Sequence, residues 1–105
     1  MFIKYDEYDL LELFLREPIS IADAPAAGEL MYVYEDDKRF DLIMTISTYG
    51  KTCDLSITYH DLVVFTGEFR NVTAIDKKGN HMLISINDEQ KLKVKFDVQV
   101  GIELL

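Results

Sequence analysis

The sequence predicts an α+β protein that is mostly β: an antiparallel meander with one N-terminal α-helix. Apolar residues recur at helical spacing within residues 6–16, and from residue 29 onward they recur at every second position. A period of about 3.6 residues is typical of an amphipathic helix, and a period of two is typical of a half-buried strand. At 105 residues the chain is predicted to form a single domain, 1–105.

The helix is predicted over residues 6–16. Asp6 is a candidate N-cap, because a short side-chain oxygen there can accept from the first free backbone N–H groups. Glu17-Pro18 is expected to end the helix, since the residue before a proline disfavours helical geometry. Residues 18–28, which contain both prolines and several small residues, are predicted to be a connector.

Helical periodicity assigns the predicted apolar face of this helix to Leu10, Leu11, Phe14 and, at its border, Leu15. Leu13 falls on the opposite, polar stripe. Glu12 and Arg16 also lie on that stripe, and their i,i+4 spacing predicts an ion pair.

The meander is predicted over residues 29–105, as strands joined by short polar turns such as His60-Asp61. Strands of this spacing predict a strongly curved sheet or a partly closed barrel. One strand carries apolar residues on both faces, because Leu62 and Val64 alternate with other apolar residues. Either a second layer, such as the helix, covers the face that carries Leu62 and Val64, or an apolar patch is left there for a partner.

Negative charge is concentrated in the first half of the chain. Residues 1–50 hold eleven Asp and Glu against four Lys and Arg, and residues 51–105 hold eight against seven. A field of one sign bears on partners and solubility rather than on fold. It favours a basic protein partner and argues against nucleic acid or an anionic membrane surface. We interpret the row Lys91, Lys93 and Lys95 as a solvent-exposed face whose charges prevent an edge strand from pairing with a further strand.

The residues that catalysis or metal binding needs do not occur at the required spacings. Cys53, His60 and His81 match no zinc motif, the serines form no nucleophile elbow, and the glycines form no phosphate loop. The prediction is therefore no catalytic residue, no metal, no cofactor and no enzyme activity. A single cysteine fits a cytoplasmic protein, and no apolar run reaches the ~18 residues that a membrane span requires.

The run FDLIMTISTYGKTCDLSITYHDLVVFTGEFRNVTAI, then HMLISI and LKVKFDVQVGIELL, follows a short acidic helix. In size, acidity and strand layout this arrangement resembles the small immunity proteins of bacterial polymorphic and contact-dependent growth inhibition toxin systems. The resemblance implies a cytoplasmic, non-enzymatic protein that binds one cognate toxin domain, often a basic nuclease, and blocks or covers its active site.

The leading hypothesis is therefore an immunity-type protein that neutralises a basic toxin domain. Carboxylates would steer the encounter, and a buried aromatic or aliphatic side chain would slow release. The predicted partner-binding residues are Glu35, Asp36, Asp37, Tyr32, Tyr34, Asp9 and Glu12. Two alternatives stay open: an acidic secretion chaperone or adaptor with more helix, and a small-molecule-binding β-barrel with a deep cavity. A homodimer formed through a strand edge also stays open.

Overall fold

Nine strands and one helix make up the part of the chain that the structure, a computed structural model, describes: residues 2–20, 28–97 and 99–105. The elements are α1 (Glu7–Phe14), β1 (Ile19–Ser20), β2 (Glu29–Glu35), β3 (Phe40–Ser47), β4 (Thr52–Tyr59), β5 (Leu62–Phe69), β6 (Val72–Lys78), β7 (His81–Ile86), β8 (Glu89–Lys95) and β9 (Gly101–Leu104). The predicted fold class, mostly β with one N-terminal helix, is confirmed. Within the predicted connector, residues 19–20 form β1, and residues 21–27 lie outside the described part.

The strands divide into two open antiparallel sheets. The first sheet has the order β1-β2-β3-β4-β5, and the second has the order β6-β7-β8-β9. Within each sheet, every strand pairs with its neighbour in sequence, as expected of a meander. The chain passes from the first sheet to the second at residues 70–71, between β5 and β6. The predicted antiparallel meander is present, divided into two open layers that do not close into a barrel.

The core lies between these layers, and strand alternation places it there. In the first sheet, Leu42, Met44 and Ile46 of β3 are fully buried, whereas the residues between them are half-buried. In the second sheet, Met82 and Val94 are likewise fully buried. Because successive side chains of a strand point to opposite faces, each sheet has an inner face in the core and an outer face directed away from it.

The N-terminal segment connects the two sheets before the helix begins. The Ile3 N–H donates to the Thr48 carbonyl at 3.0 Å, in the turn that follows β3 of the first sheet. On the second sheet, the Lys4 N–H donates to the Thr73 carbonyl at 3.0 Å, and the Ile75 N–H donates to the Lys4 carbonyl at 2.9 Å. Backbone bonds to both layers therefore fix where the helix starts.

Asp6 is the N-cap of α1, as predicted: one carboxylate oxygen accepts from the Tyr8 N–H at 2.8 Å and from the Asp9 N–H at 3.4 Å. The helix is shorter than predicted and ends at Phe14. Leu15 takes a left-handed conformation with φ 60°, and its N–H donates to the Leu11 carbonyl. This arrangement satisfies a terminal carbonyl and turns the chain before Pro18 is reached.

The predicted apolar face of α1 is partly wrong. Leu10, Leu13 and Phe14 are buried, whereas Leu11 is 37% and Leu15 72% exposed. Apolar residues at i, i+3 and i+4 form one narrow stripe, and a two-turn helix buries only that stripe.

The predicted ion pair within the helix is also wrong. Glu12 instead contacts Lys77 of the second sheet at 3.3 Å, and Arg16 contacts Glu35 of the first sheet at 3.5 Å.

A β-bulge in β5 changes which of its side chains share a face. Phe65 pairs with Ile57 on the inner face, but Val63 pairs with Thr58 on the outer face, so Val64 is an extra residue between them. One inserted residue reverses the alternation on one side of it. Leu62, Val63 and Val64 are 70%, 65% and 56% exposed, so no described residue covers this apolar patch.

Candidate partner-binding surface

Because side chains alternate along β2, the predicted binding residues Tyr32 and Tyr34 point towards the core and not towards a binding surface. Tyr32 is 2% exposed, its ring centroid lies 5.1 Å from that of Phe14, and burial raises the pKa of its phenol. Tyr34 is half-buried against Phe96, with ring centroids 5.1 Å apart in an edge-on geometry. Tyr32 is therefore not accessible to a partner, because it occupies an inner-face position opposite Met44.

Asp36 has a structural role in the turn between β2 and β3. One of its carboxylate oxygens accepts from the Lys38 N–H at 2.8 Å and from the Phe40 N–H at 2.9 Å. The other oxygen accepts from the Val100 N–H at 3.0 Å, which joins this turn to the residue just before β9 of the second sheet. Asp37, by contrast, is exposed. Of the predicted acidic turn, Glu35 and Asp37 are exposed, and Glu35 contacts Arg16 at 3.5 Å.

The helix acids lie apart from the outer face of the first sheet. Glu12 is exposed and paired with Lys77, and Asp9 is half-buried in the first turn of α1, which packs against β2 and β6. The structure therefore does not unite the seven predicted residues in one surface.

The outer face of the first sheet is acidic, and we call it the acidic face. Its strand positions hold five carboxylates, and none of its described strand residues is Lys or Arg. The carboxylates belong to Glu29, Glu35, Asp41, Asp54 and Glu68. Half-buried Met31, Val33 and Ile43 lie among them, and most of the remaining positions are Ser or Thr. The charge imbalance of the sequence thus becomes a surface with an apolar centre and an acidic rim.

Two pairs of carboxylates face each other across neighbouring strands of the acidic face. Glu35 is directly opposite Asp41, and Asp54 is directly opposite Glu68. Like charges in this position destabilise a sheet. At Asp54, desolvation and then the charge of Glu68 raise the pKa of the carboxyl group. The acidic face therefore carries charge that opposes folding.

Near one corner of the acidic face lies an open depression of about 380 Å³. It is lined by Glu35, Asp36, Arg39, Asp41, His60 and Asp61. His60 and Asp61 form the two-residue turn between β4 and β5, and both have positive φ values, 50° and 66°. That geometry is the preferred one for a hairpin of this length, and it holds both side chains at the corner.

The outer face of the second sheet carries charges of both signs, such as Asp76, Lys93 and Glu103. Lys93 and Lys95 project from it, and Lys95 contacts Glu103 at 3.0 Å. The hydrogen bond from Lys95 lowers the pKa of the Glu103 carboxyl group. β8 lies between β7 and β9, so the interpretation that its lysines blunt an edge strand is wrong.

The candidate reactive residues are separated from one another. Cys53 is fully buried, and desolvation raises the pKa of its thiol to about 12, which keeps it protonated and unreactive. His81 contacts Asp97 at 3.1 Å, and His60 packs edge-on against Tyr59. Within residues 2–20, 28–97 and 99–105, no group of three His, Cys, Asp or Glu is placed to hold a metal ion.

No helix in the described residues is long and apolar enough to cross a membrane. No family model matches the chain, and no curated protein matches its sequence. Among solved structures, it is similar to a chain of a contact-dependent growth inhibition toxin–immunity protein complex from Klebsiella pneumoniae 342. The TM-score is 0.79 at 15% identity, over 98% of this chain and 96% of that chain. The two chains share a fold. The resemblance seen in the sequence is thereby confirmed at the level of the fold.

Most of the acidic face was not predicted, because its carboxylates are not adjacent in sequence. Asp41, Asp54 and Glu68 lie on three different strands and meet only through strand pairing. The sequence does contain a signal for this face, because each of these acids occupies a strand position that alternates with apolar residues. Among the described strand positions of the first sheet that point away from the core, the charged ones are all negative.

We expect Asp54→Asn to increase the free energy of unfolding at pH 7 by about 0.2–1 kcal/mol, the range of one cross-strand pair. The pKa of the Asp54 carboxyl group is raised above its ordinary 3.8, so the folded state binds the proton more tightly than the unfolded chain does. The free energy of unfolding therefore falls as the pH rises from the ordinary pKa through the raised one. Urea denaturation at pH 7 and at pH 3 tests this, since the gain should vanish when the carboxyl group is protonated.

Asp76→Asn is the matched control, because Asp76 faces Leu83 on the outer face of the second sheet. It should give no comparable gain. A loss of stability in Asp54→Asn would contradict the assignment of the pair as unfavourable.

Proposed function

We propose that this chain is a cytoplasmic, non-enzymatic immunity protein that neutralises a basic toxin domain by binding it through the acidic face. One observation carries the proposal. The described strand positions of the acidic face hold five carboxylates and no Lys or Arg, and two pairs of these carboxylates face each other in a way that opposes folding. The shared fold with a chain from a toxin–immunity complex supports the same proposal.

The proposed toxin is a nuclease. A surface that holds a nucleic-acid backbone must be rich in Lys and Arg, because each phosphate carries a negative charge. Carboxylates spaced across a sheet can occupy such a surface and exclude the substrate. Residues such as Glu35 and Asp41 would meet these cations.

Binding would proceed in two stages. The field of the acidic face steers a basic partner and raises the association rate. Burial of the apolar centre, Met31, Val33 and Ile43, then slows dissociation, because rim charges alone add little affinity. This apolar centre takes the anchoring role that was expected of a buried aromatic or aliphatic side chain.

The two alternative functions are less well supported. A secretion chaperone was expected to have a larger helical content, whereas the described residues contain one helix of eight residues. A small-molecule barrel requires closure, and neither sheet closes.

The experiment uses the domain encoded by the reading frame next to the gene for this chain. Co-expression of the chain is expected to restore growth of cells that produce this domain. The purified proteins are expected to associate at a rate that falls steeply with salt, because screening shortens to ~8 Å at physiological ionic strength. Growth that stays arrested, with no complex in solution, would refute the proposal.

A further inference from the structure

The free edges of the two sheets differ in how well they are protected. An edge strand presents unpaired N–H and C=O groups that can pair with another chain, and natural proteins shorten or cover such edges. β1 has two residues and β9 has four. β6 is bridged by the N-terminal segment, where Lys4 pairs with Ala74 in parallel. Three of the four edges are therefore short or covered.

The fourth edge, β5, is long and open. It has eight residues, and no described strand pairs with it on the side away from β4. Its first five residues, Leu62–Thr66, carry no charge and are rich in residues that favour strands. Three of them, Leu62, Val63 and Val64, are more than half exposed. Such a segment is the type that pairs readily with a further strand.

The side chains of β5 continue the acidic face. Thr66 pairs with Ser56, and Glu68 pairs with Asp54, so both belong to rows that run across that face. A protein seated on the acidic face would therefore meet the open edge of β5 at its border.

We propose that an extended strand of the basic partner adds to the edge of β5 and enlarges the first sheet to six strands. This inference rests on the proposed function and specifies part of its interface. The charges around β5 indicate which kind of strand binds there. Asp61 and Glu68 lie near the two ends of β5, and β5 itself contains no Lys or Arg, so a basic strand is favoured. The incoming strand carries Lys or Arg near these positions and apolar side chains beside Leu62–Val64. A second copy of this chain, with net charge −8, is disfavoured by repulsion.

Amide hydrogen exchange, followed residue by residue by NMR, tests strand addition on the unmodified chain. The probe is the same purified domain encoded by the neighbouring reading frame. In an antiparallel pair, residues alternate between bonded and unbonded positions, so β4 leaves about every second N–H of β5 free. We expect these free amides to exchange rapidly in the chain alone and slowly in the complex. Amides already bonded to β4 should change little.

The outcomes separate the two proposals. Absence of a complex overturns the proposed function and this inference with it. A complex in which the free amides of β5 exchange as fast as before overturns strand addition alone. Protection of β5 in the chain alone, together with a dimer in sedimentation, assigns the edge to a second copy and also overturns the inference.

A matched pair of variants gives an independent measurement. Val63→Lys places a charge on the edge of β5, a device that natural edge strands use against pairing. Leu104→Lys makes the same kind of change at a residue that is 77% exposed on the edge strand of the second sheet. We expect Val63→Lys to weaken binding roughly 10-fold or more and Leu104→Lys to leave it unchanged. Equal affinities for the two variants would overturn the role of β5.

Discussion

Truncating Phe14 to alanine is expected to lower the free energy of unfolding by about 3–5 kcal/mol, the usual loss when a buried Phe becomes Ala. Phe14 is 1% exposed, and its ring centroid lies 5.1 Å from that of Tyr32 and 5.0 Å from that of Phe96. Removal of the ring leaves a cavity between the helix and the rings of Tyr32 and Phe96, and the backbone cannot close this cavity fully. Urea denaturation followed by circular dichroism measures the loss.

Two leucines of the same helix supply the control with identical chemistry. Leu13→Ala is expected to lower the free energy of unfolding by about 2–5 kcal/mol, because Leu13 is buried. Leu11→Ala should change it by less than about 1 kcal/mol, because an exposed truncation leaves no cavity. The opposite ranking would show that the helix buries the face that the sequence periodicity first indicated.

The strand part of the fold was predictable because its pattern is local. Alternation such as that of Leu42, Met44 and Ile46 requires only a period of two, and it placed the buried residues of β3 correctly. Short turns such as His60-Asp61 then make neighbouring strands antiparallel. The division into two sheets was not predictable in this way. It depends on which consecutive strands do not pair with each other, and here these are β5 and β6.

The buried face of the helix could not be predicted from the sequence alone. The run LLELFL holds apolar residues on several sides, so two stripes satisfy a 3.6 period equally well. Packing against β2 and β6 selected the stripe that contains Leu13. The choice rests on tertiary contacts, which local periodicity does not contain.

The negative charge of the candidate surface was predictable from the sequence, but its position on the fold was not. The acidic first half correctly indicated a surface of one charge. Asp36, however, binds backbone N–H groups from its own turn and from Val100, 64 residues away. A carboxylate that holds a turn and one that faces solvent look alike in a sequence, and only the folded chain distinguishes them.

Reversing three carboxylates of the acidic face to lysine is expected to slow association with the basic domain roughly 10-fold or more, since steering of this kind changes rates by ~10–10³. The triple is Asp41, Asp54 and Glu68, none of which has the turn-holding role of Asp36. Stability should change little, because reversal of both members of the pair between β4 and β5 leaves one like-charge pair in place of another. Stopped-flow mixing at several salt concentrations measures the rate.

The control is Asp76, Glu89 and Glu103 reversed to lysine, which changes the net charge by the same amount on the second sheet. If the acidic face is the interface, the two triples differ at low salt and converge at high salt, where exposed charges are screened. Equal slowing by both triples would mean that overall charge, not this face, governs the encounter. Unchanged rates in both would mean that the carboxylates serve solubility alone, and that binding rests on the apolar centre and on β5.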